Sequence, residues 1–445
     1  MNVARPREVT ELGLSKLGAV RLLRRDPIAL LERAAAAGDL THSVMPRTDV
    51  YFVNHPDDVW DVLATGNHDF HKSPTLQNAR RVLGDGLLTS EDETHRRQRR
   101  LIQPIFHHER IDTHGRPMVA ESERAADRWT EGAALDLHAE MARLTLAIVG
   151  RTLFATDVES AEAREVTAAL HEILSQFGRQ FSPWFPITER LPLPATRRFD
   201  RAVAVFDRLI SSLIAERRAT GPRDDLLSLL LAAQEDGAGM TDTQVRDEAV
   251  TLFLAGHETT SNALTWTWWQ LSRHPEVEAR LHAELDEVLG GRAPDTGDLD
   301  SLSYLRAVLA ESIRLRPPAW AMGRQAMAPH ELAGVTLPAG SVVVVSPWVL
   351  HHDERWWAEA HTFSPDRWLA PDPERPRHAY LPFGGGPRMC IGEGFAWMEA
   401  GLVMATIAQR WRFSLETAPP VELQPVITLR PRNGMPMRAH RRERP

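Results

Sequence analysis

Along most of this chain apolar residues recur every three to four positions, the spacing that lines one face of an α-helix. The pattern predicts helices over 14–36, 56–64, 91–106, 118–129, 141–154, 161–177, 196–218 and 225–234. Alternation with period two is short and scattered, predicting strands near 43–54, 336–346, 412–415 and 421–429. No internal repeat or low-complexity linker divides the chain. These signals point to one mainly α domain over residues 1–445, with a small β-rich lobe drawn mainly from about 39–55 and 319–346.

The clearest element runs from Thr241 to Arg273. Thr241-Asp-Thr-Gln244 is a capping-box start and His274-Pro275 a stop. At a rise of about 1.5 Å per residue such a helix crosses a whole domain. Val250–Gly256 is apolar on every face, as suits a helix buried through the protein centre. His257, Glu258, Thr259 and Thr260 then break that logic, and polar groups buried at such cost usually serve a site. The stretch 181–194 holds four prolines and three large aromatics between two helices. It is either a stiff surface connection or, as we prefer, a lid over an apolar pocket.

Composition narrows the function classes. A net charge of −8 argues against nucleic acid as the main partner. No apolar run reaches the roughly 18 residues of a membrane span, and the first residues lack a signal-peptide core. A cytoplasmic protein is expected, and the single cysteine agrees with a reducing compartment. Lys16 and Lys72 are the only lysines.

That one thiol, Cys390, lies in Phe383-Gly-Gly-Gly-Pro-Arg-Met-Cys-Ile-Gly392. Alone it forms no internal disulfide and builds no structural zinc site. An inert thiol, a nucleophile or a one-ligand cofactor anchor remain. Glycines at 384–386 let backbone approach a flat ligand closely. Cys390 precedes an apolar helix running toward Gln409, whose dipole and free amides would favour a thiolate. At an axial iron position a thiolate pushes electron density onto the metal and favours O–O cleavage. Three glycines without a following Gly-Lys-Ser/Thr make a poor phosphate cradle.

Phe383, Gly386, Arg388, Cys390 and Gly392 match the cysteine signature of the cytochrome P450 family, which the chain resembles from about Asp26 to Arg438. The resemblance implies the cytochrome P450 fold, with haem b as cofactor and Cys390 as axial ligand of its iron. Ala255-Gly-His-Glu-Thr-Thr260 resembles the family's oxygen-binding groove. Ala255 and Gly256 would leave room for dioxygen, and Thr259 shares a helix face with Ala255. The resemblance assigns proton delivery to Thr259, with Glu258 relaying protons from solvent; the bland alternative is a back-bonding threonine. Glu311-Ser-Ile-Arg314 is nearly worthless by itself, since Glu93/Arg96, Glu121/Arg124 and Glu374/Arg377 share the spacing. Its place between long helix and cysteine loop implies a buried structural triad of Glu311, Arg314 and Arg367. His95 and Arg99 would grip one haem propionate, and Arg324 with Arg388 the other. Arg96, Arg97 and Arg100 read as a solvated basic face, a candidate dock for an acidic electron donor.

The pocket implied by the resemblance is lined by Leu83, Leu87, Leu88, Phe253, Ala255, Ala319, Trp320, Met322, Val426 and Ile427, each of which could equally be core. Such a lining suits a lipophilic small molecule held by shape, with a terpenoid favoured over a fatty acid or steroid. No flavin or nicotinamide fingerprint follows the haem region and no cysteine cluster could hold iron–sulfur. Electrons from a separate ferredoxin and ferredoxin reductase are therefore expected, serving a monomer. The expected reaction is O₂-dependent hydroxylation of an unactivated C–H bond. Peroxide-driven or isomerising chemistry, a haem-thiolate gas sensor, and a cysteine hydrolase are the alternatives, the last predicting inactivation by thiol alkylation.

Overall fold

The computed structural model describes residues 8–46, 48–154, 191–223, 225–235, 239–416 and 421–443, with scattered positions between 165 and 189. The expected helix over 161–177 and the first part of the 181–194 segment lie outside the described residues.

The principal helices are α1 (Lys16–Arg25), α2 (Pro27–Ala37), α3 (Asp92–Ile102), α4 (Gly115–Asp127), α5 (Leu137–Phe154), α6 (Pro194–Thr220), α7 (Leu226–Glu235), α8 (Asp242–Leu271), α9 (Pro275–Leu289), α10 (Ser303–Leu315) and α11 (Glu393–Ala408). The single helix expected over 14–36 is broken. Pro27 lacks the N–H to continue it, and the Asp26 carboxylate instead caps α2 by accepting from the Ala29 N–H at 3.0 Å.

The main sheet runs β1 (Val9–Glu11), β2 (Leu40–Met45), β3 (Thr48–Val53), β9 (Val342–Val345), β6 (Met322–Ala326), β4 (Phe70–Lys72) in spatial order. The strand read over 43–54 is a hairpin instead: β2 and β3 pair antiparallel from Leu40↔Val53 to Met45↔Thr48. Both halves are apolar enough that alternation alone does not reveal the reversal at Pro46. A second sheet joins β10 (Trp411–Leu415), β13 (Pro436–Arg441) and β5 (Ala134–Asp136). β11 (Leu423–Pro425) and β12 (Leu429–Pro431) form a separate hairpin.

The central helix α8 starts as expected. Thr241 accepts from the Gln244 N–H at 3.2 Å, and the Gln244 side chain accepts from the Thr241 N–H at 2.9 Å. At about 1.5 Å per residue its 30 residues cross the molecule. It packs along α5, α10, α11 and α6, and Val245, Val250, Leu264, Trp266 and Trp268 are buried on several of its faces. Among the described residues no helix is long and apolar enough to cross a membrane.

Candidate active site

The cysteine loop is shaped by two close approaches. Gly386 has φ +68°, and a Cβ there would fall 2.0 Å from the Leu63 carbonyl oxygen, so no other residue fits. Gly384 has φ +72° and faces the Met322 sulfur. The Cys390 N–H donates to the Phe383 carbonyl at 3.0 Å, closing the loop, and the Phe383 ring meets Trp397 edge-on at 5.7 Å. Gly392 is the residue preceding α11, so Cys390 stands two positions short of the helix cap. Its sulfur keeps accessible surface, yet enough protein surrounds it that burial pushes the thiol above its ordinary range. The Gly392 N–H and Arg99 act in the opposite direction. The thiolate-favouring effect expected from the helix end is thus outweighed by burial.

On α8, Ala255 is exposed while Phe253, His257 and Glu258 are buried. An exposed alanine halfway along a buried helix marks the space that the helix borders. The Thr259 hydroxyl donates to the Ala255 carbonyl at 2.8 Å, the back-bonded arrangement. Gly256 has a different task from the one expected of it. A Cβ there would lie 3.3 Å from Val149, so its missing side chain lets α8 and α5 pack closely rather than leaving room for dioxygen. Glu258 turns away from Thr259: its Oε1 accepts from Thr428 Oγ1 at 2.9 Å and from Asn262 Nδ2 at 3.3 Å.

Positive charge gathers beside the loop. Arg99 donates to the Met389 carbonyl at 2.7 Å, next to Cys390. Arg388 is buried and donates to Glu91 at 2.7 Å, to Asn67 Oδ1 at 3.0 Å and to the Phe70 carbonyl at 2.9 Å, while its Nε has no partner. Arg324 is buried on β6 and donates only to the Gly323 carbonyl, at 3.0 Å. Burial and the nearby Arg388 pull it down to about 10. Lys72 is buried, donating to the Leu87 carbonyl at 3.0 Å and to the Ser90 carbonyl, and burial lowers it to about 7. His95 is held neutral, lowered to about 4 by burial and by Lys72, Arg388 and Arg99.

Glu91 faces this group directly. Glu248, also near Lys72, is pushed up to about 8 by burial and is neutral at pH 7. Cations therefore exceed ionised carboxylates, and a buried excess of that kind calls for an anionic ligand. The lone thiol, the tight glycine loop, the exposed Ala255 and this charge surplus together fit a flat cofactor with two carboxylates, as haem b has. Lys72, Glu91 and Asn67 escaped sequence reasoning. The rarity of lysine here was the one available signal for Lys72.

The Glu311 carboxylate is fully buried and accepts five hydrogen bonds. They come from Arg314 Nε and Nη2 at 2.8 Å each, Arg367 Nε at 2.9 Å, Trp368 Nε1 at 2.9 Å and the Ser364 N–H at 3.0 Å. Burial opposes its charge, but Arg314 and Arg367 prevail and hold the carboxyl below its usual range. Arg314 also donates to the carbonyls of His351 at 2.5 Å and Ala360 at 2.7 Å.

Among the expected pocket residues, Leu83, Leu87 and Phe253 are buried, with Phe253 edge-on to Phe206 at 5.7 Å, and Leu88 is exposed. Ala319, Met322, Val426 and Ile427 are half-buried. Trp320 is core instead, packed with Phe52, Trp348 and Leu429 and donating Nε1–H to the Val426 carbonyl at 3.1 Å. The 84–90 loop is fastened to α8, where Asp247 accepts from the Asp85 N–H at 2.7 Å and Glu248 from the Leu87 N–H at 2.9 Å. On α3, Arg96 pairs with Glu93 at 2.9 Å and Arg100 lies 3.6 Å from the same carboxylate. Arg97 is not part of that free face, since it donates to the Gly239 carbonyl at 2.6 Å.

The family signature described as Cytochrome P450 matches residues 27–437. The chain is 42% identical to cyclooctatin synthase of Streptomyces melanosporofaciens, over 90% of this chain and 88% of that protein. It is 39% identical to cyclooctat-9-en-7-ol 5-monooxygenase of the same organism, over 89% and 87% of the two chains. Identity to pentalenene oxygenase of Streptomyces avermitilis is 38%, over 92% and 91%. Signature, relatives and site agree, and the chain belongs to the cytochrome P450 family of haem-thiolate monooxygenases.

Proposed function

We propose that this monooxygenase hydroxylates an unactivated C–H bond of a polycyclic terpenoid. The observation that carries the proposal is the apolar surround of Leu83, Leu87, Phe253 and Ile427 about a helix that exposes only Ala255 at its centre. Three relatives at 38–42% identity carry names tied to cyclooctatin and pentalenene chemistry, which favours a terpenoid over a fatty acid or steroid.

Cys390 would hold the haem iron, and Arg99, His95, Arg324, Arg388 and Lys72 the propionate side. When bound, haem supplies the activation of O₂, one oxygen atom going to product and the other leaving as water. Thr259 orients a hydroxyl toward the space beside Ala255, and Glu258 supplies protons to that side of the helix. Glu311, Arg314 and Arg367 fix the segment beneath the loop and touch no reactant. Electrons would come from a ferredoxin and its reductase, docking where the exposed Arg96 and Arg100 steer an acidic partner to a monomeric, cytoplasmic enzyme.

A panel of cyclooctat-9-en-7-ol, pentalenene, lauric acid and progesterone, titrated into the haem-loaded protein, tests the substrate class. The terpenoids should produce the spin-state change and be hydroxylated with ferredoxin, reductase and NADPH. Tighter binding and faster conversion of the fatty acid or steroid would overturn it. Cys390→Ser should abolish the red-shifted Soret band of the reduced, carbon-monoxide-treated protein.

A further inference from the structure

One turn of chain carries both a candidate pocket residue and the partner of the Glu258 carboxylate. Thr428 lies between β11 and β12, directly after Val426 and Ile427. Its buried hydroxyl donates to Glu258 Oε1 at 2.9 Å. Asn262, one helical turn beyond Glu258, donates to Thr428 Oγ1 at 3.1 Å and to the Glu258 carbonyl at 2.9 Å. The Asn262 side-chain oxygen lies 3.2 Å from Nε2 of His138, at the start of α5. Glu258 Oε2 makes no hydrogen bond among the described residues. The carboxylate is therefore fastened by one oxygen, pointing away from Thr259.

The turn itself is tied on both flanks. The Val426 N–H donates to the Thr428 carbonyl at 3.1 Å, and the Leu429 N–H to the Pro318 carbonyl at 2.9 Å. Trp320 and Trp266 donate to the carbonyls of Val426 at 3.1 Å and Leu429 at 2.9 Å. Within this frame Val426 and Ile427 stay half-buried while Thr428 is buried. Pressure on Val426 or Ile427 from a ligand would be felt two bonds of backbone away, at the hydroxyl.

We infer that Thr428 is a positioning residue that holds the Glu258 carboxylate off Thr259 and releases it when a ligand fills the pocket against Val426 and Ile427. The inference rests on the reading of Glu258 as proton supplier. It adds a coupling between pocket occupancy and proton supply, carried by a hydrogen bond from a different part of the chain. A single hydrogen bond to a carboxylate changes a two-state population by about tenfold or more, so its loss is measurable.

The test uses haem-loaded ferric protein and 4-phenylimidazole, a pocket-filling probe. Infrared difference spectra on adding the probe should show a carboxyl band that is missing in Glu258→Gln. The band should move with the probe in the parent and in Thr428→Ser. In Thr428→Val it should stand at its probe-bound position before the probe arrives. With whichever panel compound is converted fastest, peroxide released per NADPH consumed should rise about tenfold in Thr428→Val and return in Thr428→Ser. A Thr428→Val protein with the parent's band shift and peroxide ratio overturns the inference while leaving Glu258 its role. If Glu258→Gln also keeps the parent's ratio, the reading of Glu258 falls and this inference with it.

Discussion

Glu311 on α10 receives five hydrogen bonds spread over both carboxylate oxygens, whereas Glu258 on α8 receives two, both on Oε1. Both side chains are buried in the middle of helices. The partners of Glu311 include two guanidinium groups, which fix its charge and its rotamer together. Those of Glu258 are a hydroxyl and an amide, neutral groups that orient a carboxyl without committing it to one protonation state. A saturated buried ion pair belongs to architecture, and an incompletely bonded buried acid is free to do chemistry.

Breaking each carboxyl in turn sharpens the contrast. Glu311→Gln leaves Arg314 and Arg367 buried without a counter-charge, and should cost roughly 3–5 kcal/mol. Guanidinium unfolding of the haem-loaded protein, followed at the Soret band, reads that loss. Glu258→Gln should leave the unfolding midpoint nearly where it was and slow product formation about 100-fold. The contrast fails if the stability losses of the two variants are alike.

Glu248 is a third case, a buried acid kept neutral. It titrates near 8 in the folded chain, against about 4.3 when unfolded. Between those values the unfolded state has released a proton that the folded state retains, so stability falls as pH rises from about 4 to 8. Glu248→Gln should remove that slope and gain about 2 kcal/mol at pH 8.5 relative to pH 5. Thermal melts of parent and variant that decline in parallel would count against it. Smallest of all, Glu93→Gln should leave the unfolding midpoint unmoved. Its pair with Arg96 has the same three-residue spacing as Glu311 and Arg314, but both groups are exposed.

Position along the chain, rather than spacing, was what separated those two pairs in the sequence. The cysteine loop and the capping box of α8 were legible for a similar reason: each is a local motif whose geometry is written in consecutive residues. The break at Asp26-Pro27 was equally local and should have been read, since proline and a capping aspartate stand side by side there. Trp320 was misplaced because an apolar residue looks the same whether it lines a pocket or fills a core. Gly256 was assigned to the wrong face because a glycine carries no direction in sequence. Thr428 and His138 were illegible, as they meet Asn262 from 166 and 124 residues away. The signal for Glu248 was present, because it interrupts the same apolar helix as His257 and Glu258.

The seat of Gly386 on the Leu63 carbonyl also limits how this loop can change over time. Any codon change at that position aims at least a methyl group at a peptide oxygen. Neighbouring Gly385 would meet the Trp60 ring at 3.0 Å, and Gly384 the yielding sulfur of Met322 at 3.3 Å. In a library randomised at all three sites, survivors should keep glycine at 386 almost without exception. Small side chains should enter first at 385, and asparagine, which tolerates positive φ, at 384. Diversification of the enzyme is thereby pushed out of the metal-bearing loop and toward the distal walls.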